Sequence, residues 1–360
     1  ATYEWMAALT LIIVGKYFLP IFIEKGLYTI PQFIEQRFSN NLKTILAVFW
    51  IALFIFVNLT TVLFLGGKAM DTILGNGDGS MIFPAILAFA LFAAAYSLYG
   101  GLAAVAWTDV IQVAMLVIGG VITTVIALNH VTPDGGIFQG LDHVYNTAGD
   151  KFHMILKKSN PEFMNLPGIA VLIGGMWIAN LYYWGFNQYI IQRTLAAKSL
   201  KESQRGIVFA AFLKLLIPLF VVIPGIIAFV MFTEPAGTAH IEGASEAFVK
   251  ADGSMNYDKA YPWLISTFIP TGLKVLVVAA LDAAIVSSLA SMVNSTSTIF
   301  TMDIYKPYFA SKTGPNREVM VGSIAAGVAL VIAVASSSAL ENLEQVFQYI
   351  QEYTGVVSPG

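Results

Sequence analysis

The sequence predicts an all-α protein that crosses a membrane many times. Of its 360 residues, 57% are hydrophobic and only 11% charged, against about a quarter charged in soluble domains. Its mean hydropathy is +0.73. The apolar residues gather in runs of about 20, the length an α-helix needs to cross hydrocarbon. With no cysteine, disulfides and thiolate metal sites are excluded. The histidines, His130, His143, His153 and His240, all fall in polar loops, so no histidine relay runs through the membrane. A net charge of −3 with no basic tract argues against nucleic acid as a partner.

Apolar runs place helices at 2–23, 43–65, 81–98, 102–128, 166–191, 206–232, 270–305 and 319–335, with a ninth starting near Asn342. Loop charge supports this count. Lys25, Arg37 and Lys43 precede the second helix, and Arg193, Lys198, Lys201 and Arg205 follow the fifth. Lys306, Lys312 and Arg317 follow the seventh. These short basic loops and the Leu98–Leu102 turn fall on one side, which the positive-inside rule makes cytoplasmic. The opposite loops, about 129–165 and 233–269, are longer, acidic and rich in Gly and Pro, and short surface helices are expected there. Ala1 leads directly into Tyr3-Glu4-Trp5 with no basic leader, and the last residues stop within an apolar segment. Both ends suggest the middle of a longer chain rather than a signal peptide.

The segment 171–193 is apolar enough to span, yet holds Asn180, Tyr182, Tyr183, Trp184, Asn187 and Gln188, with glycines at 174, 175 and 185. Hydrocarbon offers a buried amide no partner, so such a span faces protein or a cavity. Asn180, Tyr183, Trp184 and Asn187 recur at i, i+3, i+4 and i+7 and share one helical face. Amides beside aromatic rings suit a polyhydroxylated ligand; helix packing with interfacial aromatics is the other reading.

Glu4, Lys16, Asp109, Lys214, Asp282 and Glu352 lie in or beside apolar runs, where a charge at a helix centre costs about 2.5–3.5 kcal/mol. Lys214, about 12 Å into its helix at 1.5 Å per residue, is a functional candidate; Lys16 reads as snorkelling or structural pairing. Glu4 is an interfacial acid or a deeper one. Asp109, after Trp107-Thr108, bonds local backbone or takes part in ion passage, and Asp282 is expected to pair with Lys274. The stretch 281–295 is rich in small and hydroxylated residues. Ala283, Ser287, Ser291 and Ser295 at four-residue spacing mark close helix packing. The alternative is a Na⁺ site of hydroxyl and carbonyl oxygens where helices partly unwind.

Three ordered matches then carry a family resemblance. Tyr99-Gly100-Gly101-Leu102-Ala103-Ala104-Val105 with Thr108-Asp109, Gln192-Arg193 before 195–198, and 287–295 running to Phe300–Tyr305 resemble the sodium/solute symporter family, most nearly its sodium/glucose-type branch. The resemblance covers nearly the whole chain. It implies a LeuT-like fold of inverted five-helix repeats. Residues 1–128 would hold core helices 2–5, 129–165 an outer loop, and 166–360 core helices 6–10. The first core helix and the C-terminal helices would be missing. It implies sugar-binding roles for Glu4, Asn180, Lys214 and Gln351, gates at Tyr3, Tyr183, Trp184 and Phe347, and cation passage at Asp109. It implies a co-transported Na⁺ held by the Ala284 carbonyl and the Ser287 and Ser288 hydroxyls. Ala7 stands where the galactose-carrying members have Ser, which removes one sugar hydrogen bond.

The expected function is therefore Na⁺-coupled uptake of a hexose, galactose or glucose, across a bacterial inner membrane. The partners are sugar, sodium and the lipid bilayer; oligomeric state is not legible. The alternatives are symport of proline, pantothenate or sialic acid, a membrane-embedded enzyme, or a channel. An enzyme would need catalytic or metal-ligating groups in the membrane, and no His, Cys or metal motif lies there. A channel would need a long polar stripe rather than a few clustered polar residues. Asn187 and Gln188 are expected as helix contacts on the exit path.

Overall fold

The computed structural model describes residues 2–132, 134–160, 163, 168–233, 248–249, 257–309 and 314–340. The ninth helix, with Phe347, Gln351 and Glu352, lies outside the described residues, as does His240. Among the described residues, six helices are long and apolar enough to cross a membrane: Thr2–Glu24 (α1), Asn40–Ile73, Asp109–Val131, Leu200–Thr233, Thr271–Phe309 and Asn316–Leu340. Ile82–Ser97 is a shorter apolar helix. Large apolar side chains cover their outer faces: Leu91 is 69% exposed, Val275 69% and Val331 70%. Patches of this kind mark surfaces made for another phase, here lipid. Leu11, Val14, Leu19 and Phe22 of α1 are buried, so one face of that helix looks inward and Leu9, Ile12 and Ile21 look out.

Thr29 and Ser39 cap Ile30–Arg37 (α2) and Asn40–Ile73 (α3) with their side chains. A wide π turn at Phe54–Leu59 lies inside α3, and Thr60 Oγ1 donates to the Ile55 carbonyl at 2.8 Å.

The sequence predicts two helices parted at Leu98–Leu102, but Ile82–Val131 (α4) is helical throughout. The run has no proline after Pro84, and Ala and Leu around Gly100-Gly101 favour helix. The predicted reversal is nevertheless present in the contacts with Thr271–Phe309. Phe89 and Ile285 meet at Gly66, and Ser97 Oγ donates to Asn294 Oδ1 at 2.6 Å, so this half runs with the later helix. Farther on, Ser287 donates to Asp109 and Gly119 lies against Val277, so the other half runs against it. The chain therefore reverses its direction relative to Thr271–Phe309 between Ser97 and Asp109.

Gly136–Ala148 (α5) is one of the short surface helices expected in the outer loops. It crosses the end of α4 at Gly140, where a Cβ would overlap the Leu128 carbonyl. Backbone cannot yield as a side-chain tip does. Gly140→Ala is therefore expected to destabilise the protein by about 1–3 kcal/mol, read as a lower midpoint of thermal unfolding. An unchanged midpoint would rule out this close crossing.

The expected helix 166–191 is broken instead. Gly168–Ile173 (α6) ends at Gly174, whose φ −109° and ψ −106° are not helical. Gly175–Leu181 (α7) passes into a π turn at Tyr182–Phe186. Asn187 is extended, and Gln188–Leu195 (α8) starts anew. Paired glycines explain the first break, since glycine carries the least steric restriction. Leu200–Thr233 (α9) runs antiparallel to α1. Gln204 Nε2 donates to the Gly15 carbonyl at 2.9 Å, inside the π turn Val14–Phe18, and a Cβ on Gly15 would sit 3.0 Å from Ile207. Ala260–Phe268 (α10) is the second expected loop helix. Thr271–Phe309 (α11) passes through a π turn at Phe300–Tyr305 before a last α-helical turn at Lys306–Phe309, and Pro315–Ser336 (α12) follows.

The loops sort to two ends as their charges suggest. At one end Thr29 bonds Asp303 at 3.1 Å, Lys43 pairs with Glu35 at 2.9 Å, and Lys306 with Glu318 at 3.0 Å. At the other, Lys68 pairs with Asp258 at 3.0 Å and Lys259 Nζ donates to the Gly77 carbonyl at 3.1 Å. Asp71 fixes the second loop by accepting from the backbone of Gly79 at 2.9 Å and Met81 at 3.0 Å.

Candidate functional site

Two polar clusters lie among the helices. In the first, Lys214 Nζ is 2.7 Å from Glu4 Oε2, with the side chains 19% and 28% exposed. The same ammonium sits 4.6 Å from the centre of the Trp184 ring, where a π face attracts a cation. Because α9 begins at Leu200 rather than near Gly206, Lys214 lies about 21 Å into its helix at 1.5 Å per residue. The added turn carries Lys201, Glu202, Gln204 and Arg205, so the depth of Lys214 in the apolar run is unchanged, and it is the Glu4 and Trp184 contacts that argue against simple snorkelling. Lys16, by contrast, is exposed and rests 5.2 Å from its neighbour Tyr17, as an interfacial lysine does.

Asn180 joins this cluster. Its Nδ2 donates to the Met176 carbonyl at 2.9 Å, and its Oδ1 accepts from Trp184 Nε1 at 3.2 Å. The Tyr183 ring stands edge-on to Trp184 at 5.0 Å, and its hydroxyl bonds that of Tyr189. Tyr189 also meets Phe54 edge-on at 6.0 Å. Tyr3, 37% exposed, is one residue before Glu4. The shared face expected for Asn180, Tyr183, Trp184 and Asn187 extends only as far as Trp184. The π turn and the extended Asn187 interrupt the 3.6-residue period, and Asn187 leaves the face. Its Oδ1 is buried with no hydrogen-bond partner among the described residues. Gln188 is a structural contact: it accepts from the Ile30 backbone and donates to the Tyr28 carbonyl, each at 3.0 Å.

The second cluster joins α4, α8 and α11. Asp109 Oδ2 is 2.6 Å from Arg193 Nη2, and Asp109 Oδ1 accepts from Ser287 Oγ. Arg193 also donates to Ser291 Oγ, and Gln192 Nε2 to the Ser291 carbonyl at 3.3 Å. Asp109 thus bonds side chains far along the chain, not local backbone. Ser288 Oγ donates to the Ala284 carbonyl at 2.9 Å, the usual i−4 bond of a helical hydroxyl. The backbone at 284–288 is regular helix, so the unwinding suggested for a sodium site is absent there. Ser287 gives its proton to a carboxylate, which leaves its oxygen lone pairs free to face a cation. Ser291 and Ser295 are fully buried and bond the carbonyls one turn back, as close helix packing requires. No group of three His, Cys, Asp or Glu suited to a metal occurs among the described residues.

Sequence reasoning missed Arg193 and Tyr189. Arg193 looked like one charge of a basic loop, because its partner lies 84 positions earlier. Tyr189 sits six residues after Tyr183, a spacing that no regular helix turns into a contact. Asp282 was expected to pair with Lys274, but Lys274 Nζ donates to the Ser266 carbonyl at 2.7 Å instead.

A model of the sodium:solute symporter family matches residues 1–360. The chain is 61% identical to a sodium/glucose cotransporter of Vibrio parahaemolyticus, over 100% of this chain and 65% of that protein. It is 31% identical to mouse sodium/glucose cotransporter 1, over 99% of this chain and 55% of the relative. To mouse sodium/myo-inositol cotransporter it is 30% identical, over 99% of this chain and 51% of the relative. The chain thus spans from half to under two thirds of these relatives. The structure of a Na⁺-coupled sialic acid symporter, substrate-bound and outward-open, superposes with a TM-score of 0.78 at 24% identity, over 99% of this chain and 70% of that one. The fold is accordingly LeuT-like.

Proposed function

This chain belongs to the sodium:solute symporter family, and we propose that the protein couples inward Na⁺ movement to the uptake of a hexose. The observation that carries this reading is the cluster of Glu4, Lys214, Asn180 and Trp184. A carboxylate, an ammonium and an amide offer both donors and acceptors, which is what ring hydroxyls require. They lie beside two aromatic rings that suit an apolar sugar face. A zwitterionic substrate such as proline would instead meet a pair whose charges already cancel. The galactose and glucose cases share this chemistry, and so does the cyclic polyol of the myo-inositol relatives.

Na⁺ enters from outside and meets the Ser287 and Ser288 hydroxyls and the Ala284 carbonyl, with Asp109 next along its path. Sugar then inserts among Glu4, Asn180, Lys214 and Gln351, with Tyr183 beneath it, and Tyr3 and Phe347 close above. Residues 1–128 and 166–360 act as the two repeats that rock past each other, joined by the outer loop 129–165. The membrane is the bacterial inner membrane. One charge moving through 100 mV supplies about 2.3 kcal/mol, and a tenfold Na⁺ gradient adds about 1.4 kcal/mol. Together these could concentrate a neutral sugar several hundredfold.

The test is uptake by the full-length protein in liposomes, comparing galactose, glucose, myo-inositol and proline with Na⁺ or K⁺ outside. Sugar uptake is expected only with Na⁺ and should carry current. Uptake of proline alone, or uptake indifferent to Na⁺, would defeat the proposal. For the ion, Ser287→Ala should raise the half-saturating Na⁺ concentration about tenfold, the loss of roughly one oxygen ligand. An unchanged Na⁺ dependence would remove Ser287 from the sodium path.

A further inference from the structure

Among the described residues, Asp282 is an intramembrane acid that the proposed cycle does not use. It lies about 16 Å into α11 at 1.5 Å per residue, a depth at which an ionisable residue is a functional candidate by default. Its Oδ1 is buried with no hydrogen-bond partner among the described residues, and the same holds for Gln112 Oε1. Both residues line a cavity of about 390 Å³ between the two halves of α4 and α11. Its other walls include Phe89, Phe92, Tyr96 and Val286. The volume falls within the roughly 300–1,000 Å³ of small-molecule sites.

The chemistry narrows the occupant. Both orphaned oxygens are acceptors, so the complement is a donor. One belongs to a carboxylate at membrane depth, so the donor should be a cation. The nearby acid Asp109 already has the Arg193 guanidinium at 2.6 Å; Asp282 has no ion pair of this kind among the described residues. Three aromatic rings line the walls, where a cation gains from the π faces, while aliphatic carbon fills the rest. A bare ion would leave most of that volume and its apolar surface unused. Entry runs past Phe92, which is 68% exposed, beside Leu91 at 69% and Leu87 at 41%. That surface faces lipid, so the ligand needs an apolar body that partitions into the bilayer.

We propose that the cavity between α4 and α11 is a binding site for a small arylalkylammonium, its ammonium on Asp282 and Gln112 and its ring among Phe89, Phe92 and Tyr96. The inference rests on this cavity and not on the hexose reading, so either can fail alone. The probe is phenethylamine, a cation at neutral pH, added to the full-length protein in lipid nanodiscs and followed by equilibrium dialysis. Saturable binding is expected, weakened about tenfold or more by Asp282→Asn and largely restored by Asp282→Glu. Phe92→Ala changes an exposed side chain and should weaken binding about threefold through the lost ring contact. Phenethyl alcohol, the neutral analogue, should bind about tenfold more weakly than the amine. The proposal is overturned if the wild type shows no saturable binding, if Asp282→Asn binds as well as the wild type, or if the alcohol matches the amine. Displacement of the amine by NaCl at lower concentration than the amine itself would make a bare cation the occupant, and overturn it equally.

Discussion

Lys214→Ala should abolish sugar uptake while leaving a folded protein. The ammonium is 2.7 Å from Glu4 and 4.6 Å from the centre of the Trp184 ring. Its loss removes a hydrogen-bond donor from the sugar cluster and leaves a carboxylate facing an apolar bundle. Truncating one partner of a buried pair costs about 3–5 kcal/mol. At 19% and 28% side-chain exposure, water screens part of this, and about 1–3 kcal/mol is the fitting range. Stability should then recover in the double variant Glu4→Gln, Lys214→Ala, because the stranded charge is gone, whereas uptake should not. Asn180→Ala should also stop uptake, since it frees the Trp184 ring from its 3.2 Å bond. Liposome uptake and thermal unfolding in parallel separate the two effects. Normal uptake in both Lys214→Ala and Asn180→Ala would sink the assignment of this cluster to the substrate.

Arg193→Ala should be the most destabilising of the polar substitutions, and it should also slow transport. Arg193 is the only cation paired with Asp109 among the described residues, at 2.6 Å, and its guanidinium also reaches Ser291. Three helices, α4, α8 and α11, are fastened at this one point. Removing Arg193 strands Asp109 within the bundle. With side chains 31% and 20% exposed, the loss should be about 2–3 kcal/mol after allowance for screening. Arg193→Lys should recover only part of it, because a lysine cannot serve Asp109 and Ser291 with one planar fork. The double variant Arg193→Ala, Asp109→Asn should be more stable than Arg193→Ala alone. Denaturant unfolding of the wild type, Arg193→Ala, Asp109→Asn and the double variant gives the coupling, and additive losses would show that the pair is not coupled.

The membrane class, the grouping of loops at two ends and the positions of most spans were legible because each is a local property. Apolar length sets a helix, and loop charge sets its side. Glu4, Asn180, Trp184 and Lys214 were legible as misfits, since polar groups in apolar runs stand out one residue at a time. The breaks at Gly174 and Asn187 were less so, because 171–193 reads as one apolar run. What moved Asn187 off the ligand face was an extra residue in one π turn. That depends on packing against α1, where a Cβ at Gly185 would lie 3.0 Å from Val14.

By itself the sequence determined that this chain folds as membrane-crossing helices, which side each loop favours, and which few polar residues need a reason to be there. Only the tertiary structure decided how they combine: Glu4 with Lys214 across 210 positions, Asp109 with Arg193 across 84, and Asp282 with no ion partner among the described residues. The reason is physical. Hydropathy and helix length act within about 20 neighbouring residues, whereas in an apolar interior a charge is stabilised by whatever partner the folded helices bring within a few ångströms.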